Sequence, residues 1–485
     1  MKKRTVAENL FYNMLYQVIV TILPVITTPY TARVLGLHAN GIHSFTESIV
    51  TYFIIFGSLG TSLYGIRKVA YVRDDREQLA QTTIEIMLLK LLLMAATLLV
   101  YIPVLCVGSE YAYIYRIQII NIVANGIDIS WFYQGVEDFK KVTIRNLLVK
   151  AIFVVALFAL IRSPEDLTKY VFLIVASSLL GNILMLYYLP QYVSLRLKER
   201  LRILPHIKGC ILLFIPQVMN YVYALLDRSM LGWMTHTDNV GIYDQAQRLI
   251  RMITAILQSL GYVMMARVAN LTMAHDEEGI RHYIQKSINF TMFLAWPAML
   301  GVIGVADDFI PLFLGNEYLD VIPILKILSV LILTMSLNSI LGVQMLIPMG
   351  KEKVYAVATS TGALVNVAVN IFTIPLFGTV GACISSLAAE TVVFLISYWN
   401  LRKMIHLSKV VKNNIFVIGA SVIMYVVVRL ISAMEISTIL RLVLEVIAGG
   451  GVYMLLMLIS RNEILMIILD KVKNYLNRLT GRSSR

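Results

Sequence analysis

Apolar runs of about 18 to 25 residues, each long enough to cross a hydrocarbon core of about 30 Å as a helix, recur from Leu10 nearly to Ile459. No stretch between them is long enough to hold a sizeable soluble domain. Hydrophobic residues occupy 58% of the 485 positions and charged residues 15%, against roughly 25% charge in a soluble domain. The chain is therefore read against lipid. The expected fold class is an all-α integral membrane protein of about fourteen transmembrane helices.

The spans fall at roughly 8–34, 40–66, 80–106, 112–136, 144–162 and 168–192 in the first half. In the second half they fall at roughly 208–233, 239–268, 283–305, 321–348, 353–376 and 380–402, with two more at 413–433 and 437–459. The formal net charge of +13 is spread over alternate short loops. Lys2, Lys3 and Arg4, then Arg67, Lys68, Arg73 and Arg76, then Lys140, Lys141 and Arg145 mark one side; so do the 196–208 connector and Lys351, Lys353, Arg402, Lys403, Lys409 and Lys412. The intervening loops hold few basic residues, and Asp307, Asp308, Glu317 and Asp320 make one of them acidic. This positive-inside pattern places both termini in the cytoplasm. Nucleic acid is not an expected partner, because the basic residues form no patch interleaved with stacking aromatics.

The three cysteines, Cys106, Cys210 and Cys383, lack metal-ligand spacing and read as inert small hydrophobes. After Lys2-Lys3-Arg4 the apolar run continues to about Ala32 without an A-x-A-like cleavage site, so a retained helix is expected there, not a signal peptide. Beyond the last span, Ile464, Leu465, Ile468, Val472, Tyr475 and Leu479 share one helical stripe with basic residues off it. That pattern reads as an amphipathic helix on the inner leaflet, or alternatively as a solvated tail.

An internal repeat divides the chain. Val34-Leu35-Gly36, Gly41-Ile42 and Leu59-Gly60 recur in order as Met230-Leu231-Gly232, Gly241-Ile242 and Leu260-Gly261, about 200 residues later; Ser177-Ser178-Leu179 matches Ser385-Ser386-Leu387. Six spans is an even number, so the two copies enter the membrane in the same direction, as parallel repeats about an axis along the normal. The expected division is a six-helix lobe at 1–200, a second at 201–405, two additional helices at 406–460 and a basic tail at 461–485.

The segments Tyr30-Thr31-Ala32-Arg33-Val34-Leu35-Gly36 and Gly41-Ile42-His43-Ser44-Phe45 resemble the start of bacterial polysaccharide-biosynthesis flippases. The run from Asp128 to Phe139 (Asp-Ile-Ser-Trp-Phe-Tyr-Gln-Gly-Val-Glu-Asp-Phe), Phe214-Ile215-Pro216-Gln217 and Leu226-Asp227-Arg228-Ser229-Met230-Leu231-Gly232 resemble the same family. The likeness is strongest to the branch that flips undecaprenyl-pyrophosphate-linked oligosaccharide repeat units for capsule, O-antigen or exopolysaccharide. Its superfamily also holds multidrug exporters and the lipid II flippase. The resemblance implies two six-helix lobes, two extra C-terminal helices and alternating access. It implies as partners the lipid-linked oligosaccharide, membrane lipid, and a polysaccharide polymerase and glycosyltransferases.

Charges at membrane depth cost about 2.5 to 3.5 kcal/mol each on insertion scales, so each needs a partner or a watery cavity. Asp244, Arg248 and Arg251 fall at i, i+4 and i+7 on the eighth span, a single face expected to look into a cavity. The repeat counterpart on the second span carries His43 and Glu47. Arg33 and Arg228 sit at nearly equivalent repeat positions. With Arg248 and Arg251 they are candidates for a ladder that receives pyrophosphate, since planar guanidinium forks fit that dianion. The structural alternative pairs Arg228 with Asp227 or Asp244, pairs Arg248 and Arg251 with Asp244 or Glu47, and lets Arg33 snorkel. Asn13, Gln17, Thr21 and Thr28 paint a polar stripe on the first span, which reads either as helix contacts or as a cavity lining. Asp128 and Glu390 are the candidates for coupling to a proton or sodium gradient, against readings in which Asp128 reaches water or a loop arginine and Glu390 is simply hydrogen-bonded.

No H-x-x-x-H, H-E-x-x-H or Walker loop is present, so neither an enzyme, nor a metal or other bound cofactor, nor ATP as power source is expected. A cation-coupled drug exporter of the same fold, a lipid II flippase and a non-transporting partner of a polymerase are the competing readings.

Overall fold

The computed structural model describes residues 6–193, 200–258, 261–405, 407–467, 469–470 and 474. The side chains of Asn13, Gln17, Thr21, Pro216 and Gln217, and most of the expected tail helix, lie outside what is described. Among the described residues every regular element is helical. By its contacts the chain separates into two compact units, one up to Gly241 and one from Ile242 onward.

The first unit opens with α1 (Val6–Ser58), α2 (Thr61–Val72), α3 (Arg76–Leu105) and α4 (Ala112–Gly126). It continues with α5 (Ser130–Gly135), α6 (Phe139–Leu160), α7 (Leu167–Tyr188), α8 (Leu204–Met234) and the first residues of α9 (Thr237–Gln258). The first two expected spans form one element, α1, broken at Gly36, whose φ of 76° and ψ of 176° no other residue type adopts readily. Asn40 donates from Nδ2 to the carbonyls of Thr31 at 3.0 Å and Gly36 at 2.8 Å, acceptors that the break releases. Asp75 caps α3, accepting from the amides of Glu77 and Gln78 at 2.9 and 3.1 Å.

The expected fourth span is also broken. Helix α4 stops at Gly126, and the short α5 restarts at Ser130. Its Trp131, Phe132 and Tyr133 are wholly buried in a core with Val69, Leu79, Ile86 and Met185, and the Tyr133 hydroxyl donates to the Met185 carbonyl at 2.7 Å. A second core joins Leu35 and Ile42 of α1 to Ile114, Leu157 and Val171.

The second unit holds the rest of α9, α10 (Gly261–Met273), α11 (Glu277–Phe313), α12 (Val321–Leu328), α13 (Val330–Asn338) and a π-helical turn at Ser339–Leu346. Then come α14 (Glu352–Phe377), α15 (Thr379–Leu401), α16 (Leu407–Ser432) and α17 (Thr438–Ile459). Helices α16 and α17 pack on α11 around Phe293, Val417, Met424, Tyr453 and Met457. Leu465, at the start of the expected tail helix, is buried in this cluster and so faces protein.

Ten described helical segments are long and apolar enough to cross a bilayer. The first two expected spans lie in one of these, since the break at Gly36 adds no loop. Helix α4 is shorter than a bilayer span, Asp244, Arg248 and Arg251 lower the apolarity of α9, and α8 is represented by its apolar start at Leu204–Phe214. Leu99, Val155, Leu364 and Phe372 are at least 70% exposed, a pattern costly in water and natural in lipid. The chain is thus an all-helical, multi-pass membrane protein.

Candidate functional site

On α9 the three charges predicted to share a face do so. Asp244 is 1% exposed, Arg248 Nε donates to its Oδ2 at 2.7 Å, and an Arg251 guanidinium nitrogen lies 3.9 Å from its Oδ1. Arg251 also donates to the Gln247 side-chain oxygen. One buried carboxylate therefore orients two guanidinium groups that are themselves more than a third exposed. Such an arrangement orients both planar forks from a single carboxylate.

In the first unit, Arg228 on α8 is buried, and its guanidinium lies 3.9 Å from Glu47 on α1. Ser229 beside it donates to the Ser48 hydroxyl at 3.1 Å. Arg33 is exposed on α1. Glu47 is thus one neighbour of Arg228; the sequence suggested Asp227 or Asp244.

Asp128 occupies the gap between α4 and α5. Its Oδ1 accepts from the Ser130 amide at 3.0 Å and hydroxyl at 2.5 Å, and its carbonyl accepts from Lys90 Nζ at 3.0 Å and Trp131 Nε1 at 3.1 Å. Lys90 Nζ also lies 3.8 Å from its carboxylate. Arg145 on α6 continues the network, donating to the Ser130 hydroxyl at 2.6 Å and to Asn182 on α7 at 2.9 Å. This knot ties α3, α4, α5, α6 and α7 together, with the Asp128 carboxylate holding Ser130 and facing Lys90.

Glu390 is buried on α15 and accepts from Asn338 Nδ2 at 2.5 Å on Oε2 and at 2.9 Å on its carbonyl. Asn338 is the last residue of α13 before the π-helical turn, a geometry often found at functional sites. Nearby in the same unit, Asn370 accepts from Ser385 at 2.5 Å, Asn366 donates to Ser385 at 3.3 Å, and Tyr243 and Ser386 hydroxyls lie 2.8 Å apart.

Several buried charges went unnoticed in the sequence. Glu85 on α3 lies 2.8 Å from His206 Nε2, and His206 Nδ1 lies 2.9 Å from the Tyr64 hydroxyl. Glu85 also accepts from the Arg202 amide at 2.8 Å and from Gln81 at 2.7 Å. In the second unit, Asp307 bonds Lys326 and Arg429 at 2.7 Å each, and Asp308 accepts from Arg441 Nε at 2.8 Å. Both aspartates were expected in a loop, yet α11 runs on through Phe313 and presents them to α12, α16 and α17. Glu445, wholly buried, adjoins Asp308. Lys90 and Glu85 have no charged neighbour at helical spacing within their apolar run, so the rule that selected Glu390 would have selected them too, whereas Glu445 has Arg441 four residues before it.

The repeat glycines meet. A Cβ on Gly41 would lie 2.2 Å from the Thr237 carbonyl oxygen, one on Gly241 would lie 3.0 Å from the Leu37 carbonyl oxygen and 3.2 Å from Gly41 Cα, and one on Gly232 would enter the Phe45 ring. Beside this contact His38 Nδ1 lies 2.6 Å from Asp238 Oδ1. The sequence repeat thus marks a place where backbones approach too closely for any side chain. The cysteines are all buried and unbridged. Among the described residues no cluster of histidine, cysteine and carboxylate side chains is placed to hold a metal.

Comparison with known proteins adds the family. Residues 6–265, more than half of the chain, match the family described as polysaccharide biosynthesis protein, and residues 213–372 match the family named MatE. A relative from Escherichia coli (strain K12) curated under the name O-antigen transporter is 22% identical over 81% of this chain and 95% of its own length. A Haloferax volcanii protein named as a low-salt glycan biosynthesis flippase is 24% identical over 51% of this chain and 52% of its own. Among solved structures, the lipid II flippase MurJ in an inward closed conformation superposes with a TM-score of 0.74, 15% identity, and 94% and 100% coverage of the two chains. An inward-facing multidrug-resistance MATE transporter superposes with a TM-score of 0.64, 14% identity, and 79% and 95% coverage. These structural likenesses establish the fold alone. On the family match, the chain belongs to the polysaccharide biosynthesis protein family.

Proposed function

We propose that this protein is a flippase that carries undecaprenyl-pyrophosphate-linked oligosaccharide repeat units from the inner to the outer leaflet of a bacterial plasma membrane, by alternating access of two six-helix lobes at 1–200 and 201–405. The observation that carries the reading is the α9 stripe, in which buried Asp244 orients Arg248 and Arg251 on one face of the helix. Two planar guanidinium groups held side by side suit a transported pyrophosphate. The family and the names of the curated relatives support a glycan-lipid cargo.

As the sequence suggested, Arg33 and Arg228 are further candidates, beside Arg248 and Arg251, for receiving the pyrophosphate. The isoprenoid tail stays in lipid, and no covalent step occurs. Both termini and the basic loops face the cytoplasm, where glycosyltransferases supply the substrate; a polymerase consumes it on the other side. A proton or sodium gradient drives the cycle through Glu390 or Asp128. Glu390 is the stronger candidate, because the knot around Asp128 gives that residue an architectural job.

Purified protein in liposomes should translocate lipid-linked oligosaccharide. Arg248→Lys and Arg251→Lys keep a charge beside Asp244 but lose the fork, and should lose most transport while remaining in the membrane; the alanine variants should lose nearly all of it. Normal transport by the alanine variants at matched expression removes these arginines from the mechanism. A drug exporter of the same fold would instead move cationic amphiphiles and leave the glycan lipid in place.

A further inference from the structure

The first unit contains a cavity of about 460 Å³ that the ladder does not use. It opens where the α3–α4 loop and the α8–α9 junction meet α1, at loops poor in basic residues. Its floor is apolar and aromatic: Phe45, Ile49 and Tyr115 are buried, and the Phe45 ring meets Tyr111 edge to face at 6.1 Å. Its rim is polar, carrying Glu110, His236 and the His38–Asp238 pair at 2.6 Å. Neither lysine nor arginine lines it.

We infer that this cavity is a sugar subsite that accepts a neutral or amino-bearing pyranose of the cargo and disfavours an acidic one; the inference rests on the flippase reading above. Four observations combine to give that ligand class. The volume is within the range of small-molecule sites, roughly 300–1,000 Å³, and exceeds what a single ring requires. A pyranose has an apolar C–H face and a hydroxyl edge, matching an aromatic floor under a rim of carboxylate and imidazole acceptors and donors. Glu110 gives the rim negative charge beside the His38–Asp238 pair, and among the described residues no lysine or arginine lines the cavity to offset it, which disfavours uronate and phosphate and leaves the pyrophosphate to the arginines. The lining also fails as a metal site, since no three ligating side chains converge among the described residues.

The position explains why glycine recurs in the repeat. Gly232 lets the Phe45 ring seat beneath the cavity, and Gly41 lets the Thr237 backbone close its inner edge. A side chain at either place would push the floor or the wall into the open volume.

The test is saturation-transfer NMR on the full chain in nanodiscs, with N-acetylglucosamine, glucosamine and glucuronic acid as probes. The first two should receive saturation, and glucuronate about fivefold less. Glu110→Gln should narrow that gap, and Ser109→Trp, which fills the cavity from its rim, should abolish transfer to all three. Absence of transfer to wild type overturns the subsite, as does transfer that persists in a folded Ser109→Trp protein or equal transfer to glucuronate. If Ser109→Trp does not fold, an unchanged ratio in Glu110→Gln overturns it instead. Translocation of lipid-linked oligosaccharide by wild type, measured in parallel, reports on the flippase reading separately: transport without sugar binding sinks only the subsite.

Discussion

Replacing Gly41 with alanine isolates the contact on which the repeat motif depends. The new Cβ would lie 2.2 Å from the Thr237 carbonyl oxygen and 2.8 Å from its carbon, distances that real Cβ atoms do not tolerate. Both partners are backbone, so no rotamer change relieves the overlap, and the segments must part by about 1 Å in a close-packed interior. Overpacking of this kind costs about 1 to 3 kcal/mol, and a backbone clash belongs at the upper end. Against it stands the helical preference for alanine over glycine, worth at most about 1 kcal/mol. The net expectation for Gly41→Ala is a loss of about 2 kcal/mol. Gly450→Ala on α17 is the matched control: nothing lies within 4 Å of its Cβ, so only the propensity gain remains and stability should hold or rise. Gly241→Ala, with contacts of 3.0 to 3.2 Å, should fall between them. Unfolding of the purified protein in mixed micelles by increasing sodium dodecyl sulfate measures the three side by side. A Gly41→Ala protein as stable as Gly450→Ala would refute the argument that close backbone approach sets this motif.

The Glu85–His206 contact predicts non-additivity: in a double-mutant cycle, Glu85→Ala and His206→Ala should couple by about 1 to 3 kcal/mol, and additive losses would show that the 2.8 Å contact is energetically idle. Asp308→Asn removes the carboxylate that the Arg441 fork grips, so α17 should loosen; unchanged unfolding and unchanged proteolysis of the α16–α17 loop would contradict this. A cysteine at Asn316, in the short turn after α11, should react with an impermeant maleimide in intact cells, the native cysteines being buried; labelling only after lysis would invert the proposed orientation.

Sequence alone determined the class of protein. Runs of apolar residues at bilayer length leave a helical membrane protein as the economical solution, because length and hydropathy are local properties that survive without knowledge of neighbours. The α9 stripe was legible for the same reason, since i, i+4 and i+7 share a face in any helix. Charge partners on other helices were not. Arg228 meets Glu47 across 181 residues of sequence, Asp128 meets Lys90, and Glu85 meets His206, and periodicity within one helix carries no information about which other helix it packs against. Tertiary structure also decided what the repeat is for. Order and offset revealed that Gly41 and Gly241 correspond, whereas only the folded chain shows the Thr237 and Leu37 carbonyls that deny each of them a side chain. The same holds for the breaks at Gly36 and at Asp128. Hydropathy separates two spans near Gly36 and sees one continuous run through Asp128, while only the folded backbone shows the Asn40 and Asp128 side chains supplying hydrogen bonds that a broken helix gives up.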